Sequence, residues 1–170
     1  MDPKIASLWE QLTCNGKLDR DRGILQLQID LKSNENLADI LIDLILNRSA
    51  QTDSEISWQN KLGILSTASV LSQNSKNEQL VKLAPKAIDW LSDDEVRVRI
   101  QSGEFLGALC KTFGPRIYEE YRDVVFELVR ENIDRAFDKS NEIGADSGRM
   151  SPRSEEILHD TAGKNFKQNK

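Results

Sequence analysis

The side chains that could carry chemistry in this chain are few and scattered. Its one histidine, His159, stands close to the C-terminus, so neither a Ser-His-Asp nor a Cys-His arrangement can be built on the apolar, periodic part of the sequence. The two cysteines, Cys14 and Cys110, have the number and spacing of neither a disulfide framework nor a metal site. Each lies in a helical pattern that fits a reduced, buried thiol. Adjacent carboxylates occur at Asp93-Asp94 and Glu119-Glu120. General acid–base catalysis uses such pairs, but a solvated helix start or helix face accounts for them more simply. Gly163-Lys164 has the end of a phosphate loop without its upstream glycine or preceding strand. Trp9, Trp58 and Trp90 fit apolar helical stripes and are expected in the core rather than against a ligand. No catalytic, cofactor-binding or metal-binding residue is expected, and the chain reads as non-enzymatic.

Composition narrows the partners. Acidic residues outnumber basic ones by 28 to 23, and the basic ones are interspersed among them, which disfavours nucleic acid as a partner. The longest apolar stretch, Ile40 to Leu46, is interrupted by Asp43 and is far short of the roughly 20 residues of a membrane helix. The start, Met1 to Ile5, has no basic stretch leading into an apolar run. A soluble protein is expected, cytoplasmic or also nuclear, with no membrane partner.

These residues must be positioned by helices. Asp2-Pro3 has the chemistry of a helix start, and Gly16 lies past the end of that helix. Leu18 to Lys32 is read as helix, although Leu25, Leu27, Ile29 and Leu31 alternate as in a strand. A third helix is expected over about Asn36 to Leu46, and Thr52 with Glu55 forms a candidate capping box for a fourth. In the fifth, Glu78 to Leu91, Pro85 marks a kink or the true start. Ser92 with Glu95 forms a second candidate box, opening a helix that stops at Gly114. Pro115 then begins a last helix with a broad apolar face.

Repetition points to an architecture. Gly23, Gly63 and Gly103 are 40 residues apart, a period expected of stacked helix pairs. The segment LAPKAIDWLSDDEVRVRIQSGEFLGAL, Leu83 to Leu109, resembles a HEAT repeat in Pro85, Leu91, Asp93 or Asp94, Val96, Arg97, Leu106, Gly107 and Leu109. Leu18 to Leu27 resembles a weaker copy, with Asp19, Arg22 and Gly23 in place of the turn and arginine. The resemblance implies an all-α fold, a right-handed solenoid of about three HEAT/armadillo-like helix pairs over residues 1–138. It also implies that Arg97 and Arg99 serve stacking, since the family's arginine bonds acidic turns of neighbouring repeats. Residues 139–170, poor in large apolar side chains, are read as a mostly disordered tail.

Function is then expected to be a protein-interaction scaffold or adaptor without cofactors. On the last helix Tyr118 and Phe126 exceed what one buried face needs, and they are the candidate partner-binding residues. Their partner is another protein, a second copy of the chain, or further repeats of a longer one. The alternative lies in the tail. Asp146-Ser147-Gly148-Arg149-Met150-Ser151 resembles the DSGxxS phosphodegron read by the beta-transducin-repeat F-box ubiquitin ligase, which implies phosphorylation of Ser147 and Ser151 and control of turnover.

Overall fold

Asp2 begins the first helix as its side chain allows. Its carboxylate accepts the Lys4 amide at 2.8 Å, and Pro3 takes a first-turn position where a missing N–H costs nothing. This helix, α1 (Pro3–Thr13), is followed by α2 (Lys17–Asp30), α3 (Leu37–Ser49), α4 (Trp58–Asn74), the short α5 (Ala84–Asp89), α6 (Val96–Phe113) and α7 (Pro115–Ile143). Stretches of 3-10 helix, Asp53–Glu55, Glu78–Leu83 and Trp90–Ser92, precede α4 and flank α5. The computed structural model describes residues 2–34 and 36–143, and among these every regular element is helical. The chain divides into two units, residues 1–129 and 130–170; the described part of the second is the closing stretch of α7.

All seven expected helices are present, and the differences lie at their ends. Thr52 precedes a 3-10 turn and makes no side-chain capping bond. The cap of α4 is Ser57, whose hydroxyl accepts the Asn60 amide at 3.2 Å. Ser92 likewise sits inside a 3-10 turn, and Glu95 itself caps α6 through the Arg97 amide. At Thr52 a tight turn stands between the expected cap and the helix, and at Ser92 the expected cap closes a tight turn three residues before the actual cap. Pro85 falls in the first turn of α5; having no amide, it cannot bond back to Val81, and the backbone before it is 3-10. Gly114 ends α6 at a φ of 85°, a conformation that favours glycine. The alternation in α2 is the coincidence of two helix faces: Leu27 is buried in the core, while Leu25 and Ile29 are exposed. α7 continues past Asp138 to Ile143.

Within residues 1–129, consecutive helices pack as neighbours: α1 on α2, α3 on α4, and α5 on α6. The long α4 also touches α1, α2 and α6, its largest contact being with α6. It is accordingly apolar on several sides, burying Ile64, Leu65, Ala68 and Leu71. Its buried hydroxyls turn back on their own helix, Thr67 donating to the Gly63 carbonyl at 2.7 Å and Ser72 to that of Ser69 at 2.9 Å. Gly63 faces the end of α1 so closely that a methyl group there would lie 2.1 Å from the Leu12 carbonyl oxygen. Gly23 of α2 also meets Leu12, less tightly, with its nearest atoms at 3.3 Å. Gly103 has nothing within 4 Å. The three glycines of the 40-residue register therefore do not share one structural role.

Candidate interaction surfaces

A helix C-terminus leaves four carbonyls without intrahelical partners. After α1 the exposed ends are met by side chains from two other helices. Asn60 of α4 donates to the Thr13 carbonyl at 2.6 Å, and the buried Arg20 of α2 donates to those of Cys14 and Asn15 at 2.8 and 2.9 Å. Arg99 of α6 repeats the Arg20 device on its own preceding turn, with bonds of 2.6 and 3.1 Å to the carbonyls of Asp93 and Asp94. Arg20, Lys61 and Arg99 each stand at the fourth residue of their helix.

Lys61 bridges rather than caps. Its ammonium bonds Asp53, in the turn before α4, at 3.0 Å and Asp93, in the turn before α6, at 2.7 Å. Arg97 has a third arrangement. It pairs with Glu95 at 2.7 Å and lays its guanidinium 4.0 Å above the ring of Trp58 on α4. Of the two arginines expected at the stack, Arg99 holds its own turn and Arg97 reaches the neighbouring helix by stacking on an aromatic ring. The cation that bonds a neighbouring acidic turn is Lys61, and in α2 the corresponding position is Arg20, where Arg22 had been matched.

Asp53 gathers three donors into one corner. Besides Lys61, it accepts Lys86 at 2.5 Å and the Trp90 indole N–H at 3.2 Å. Both ammonium groups lie within 6 Å of the Trp90 ring, at 5.6 and 5.8 Å from its centroid. Burial works against ionisation of Asp53, but the bonds from Lys86, Lys61 and Trp90 outweigh it and hold its pKa down at about 2. Burial also opposes the charge on Lys61, and its bonds to Asp93 and Asp53 win there too, raising its pKa.

Because the Asp53 pKa falls on folding from 3.8 to about 2, its contribution is complete above pH 4 and is lost as the pH drops towards 2. The side chain is 48% exposed, so solvent screening reduces that contribution to roughly 1 kcal/mol. Thermal melts between pH 7 and 2.5 are expected to show a steeper acid decline for the wild type than for Asp53→Asn. Parallel declines would remove Asp53 as the group responsible.

A groove of about 220 Å³ opens beside the end of α1, between α2, α4 and α6. Its apolar wall is Leu12, Ile24, Leu62 and the Trp58 ring, and Lys17, Arg20, Asp21, Arg97 and Gln101 supply its polar edge. Lys17 and Asp21 pair across one turn at 2.8 Å. Composition gave no notice of this groove. The register of Arg20, Lys61 and Arg99, counted from each helix start, is the signal that aligns the three helices and could have located it.

The second surface is on α7. Ile117 is buried and Tyr121, Val125 and Leu128 pack on the core, which leaves Tyr118 and Phe126, the two residues singled out by sequence, 48% and 57% exposed. Val124 and Val129 are exposed beside them. Ser147 and Ser151 lie outside the described residues, as does His159. Both thiols are free and half-buried, and burial pushes that of Cys110 up. Among the described residues no group of three His, Cys, Asp or Glu side chains could hold a metal ion, and no helix is long and apolar enough to cross a membrane. Compared with known proteins, the chain matches no family model, no curated protein and no solved structure.

Proposed function

We propose that this chain is a non-catalytic interaction module whose helix pairs α1–α2, α3–α4 and α5–α6 stack as a short HEAT-like solenoid and present their second helices to a partner protein. The packing of α4 against both α2 and α6 supports that order of stacking. So does the cation at the fourth residue of each second helix, which ties its helix to the preceding turn or to the next one. The observation that carries the reading is the groove shared by α2, α4 and α6, since a concave, partly apolar surface with a few fixed polar groups is where a ligand segment is best held.

The α7 face is the second reading, because Tyr118 and Phe126 remain exposed outside the stripe that α7 packs on the core. Affinity capture with the full chain separates the two. If the groove is the binding surface, Arg97→Glu loses the retained protein while Phe126→Asp keeps it. The reverse pattern moves the function to α7, and retention by both variants removes both surfaces.

A further inference from the structure

We infer that the partner segment held in the α2–α4–α6 groove is an acidic peptide anchored by one bulky apolar side chain. This deepens the interaction-module reading and rests on it. The groove is lined by three cations, Lys17, Arg20 and Arg97, and by a single carboxylate, Asp21, in a chain whose net charge is -5. Asp21 is already matched by Lys17, and Arg97 pairs with Glu95, so the surplus is the charge of the buried Arg20, whose bonds go to the neutral carbonyls of Cys14 and Asn15. The cations stand near the helix starts, Lys17 and Arg20 in α2 and Arg97 in α6, while Ile24 and Leu62 lie further along α2 and α4.

The apolar part fixes the second requirement. Ile24, Leu62 and Trp58 are only half-buried, and the space they border is about 220 Å³. A cavity of about 150 Å³ is enough for a benzene ring, so one leucine, isoleucine, phenylalanine or tryptophan side chain fits. Arg97 covers one side of the Trp58 ring and leaves the wall beside Leu62 and Ile24 for that anchor. Acidic residues alone would gain little from exposed ion pairs. An apolar segment alone would strip the remaining water from Lys17 and Arg97, whose side chains are 80% and 58% exposed, and offer no acceptor in its place. A segment with both features meets neither cost, and a basic segment is repelled.

The test is to pan a random twelve-residue peptide display library against the full chain and to measure selected peptides by fluorescence anisotropy. Enrichment of acidic peptides with one large apolar residue is expected. Their affinity should fall at least about tenfold on Arg97→Glu, on replacing the peptide's apolar residue by alanine, and on Gln101→Trp, which fills the groove without changing its charge. It should also weaken as salt is raised. Peptides with no acidic bias that are still blocked by Gln101→Trp would overturn the acidic class and leave the groove as the docking surface. Peptides indifferent to both variants, or no enrichment at all, would overturn the inference and count against the groove itself.

Discussion

Gly63→Ala is expected to destabilise the protein by about 3 kcal/mol, at the upper end of what overpacking a well-packed site costs. The added methyl would stand 2.1 Å from the Leu12 carbonyl oxygen and 3.1 Å from the Thr13 Cα, both backbone atoms that no rotamer change can move. Relief requires α1 to shift away from α4, which would also stretch the Asn60 bond to Thr13. Gly103→Ala is the contrast. It lies in the interior of α6 with nothing within 4 Å, so the better helix former should stabilise by roughly 0.5–1 kcal/mol. Urea unfolding of the two variants against wild type measures both. Equal midpoints would mean that α4 does not lie against the end of α1.

Lys61→Met should remove about 3–5 kcal/mol, the cost of breaking a buried ion pair from one side. The Lys61 side chain is 9% exposed and that of Asp93 is 11% exposed, so the carboxylate left behind has little access to water. Asp53 is affected less, since it keeps Lys86 and the Trp90 indole. Adding Asp93→Asn to Lys61→Met removes the stranded charge while keeping an acceptor for the Glu95 amide, and should recover much of the loss. A double-mutant cycle by denaturant unfolding reads the coupling directly. A Lys61→Met variant within 0.5 kcal/mol of wild type would show that this bridge carries no weight in solution.

Helix existence was legible because each apolar stripe repeats at helical spacing and most ends carry proline, glycine or a capping side chain. The register between helices was not. Gly23, Gly63 and Gly103 are evenly spaced in sequence, yet they occupy the seventh, sixth and eighth residues of α2, α4 and α6. The glycine spacing reflects loops of unequal length, whereas the equivalent positions are the cations at the fourth residue. Capping boxes misled for a related reason: Thr52 and Ser92 have suitable side chains, but one opens and the other closes a tight turn, and each helix starts several residues later. On α7, the excess of apolar residues over one stripe was sufficient to single out Tyr118 and Phe126. The groove was hidden because its residues come from three helices, and only the packing of α4 between α2 and α6 brings them together.

The capping of α1 has a consequence for the order in which the chain can fold. Asn60 and Thr13 are 47 residues apart, so their bond closes a long loop, and the entropy of that closure is spent before the contact forms. In an array whose repeats interact only with immediate neighbours along the stack, the first pair could settle alone and later pairs add to it. Here α1 is finished by a side chain from α4, across the whole of α2 and α3. The end of the first helix pair is thus finished by the pair next to it in the chain. Arg20 can serve the carbonyls of Cys14 and Asn15 from within that pair, but that of Thr13 is completed only when α4 has packed, which couples the N-terminal end to the central helix.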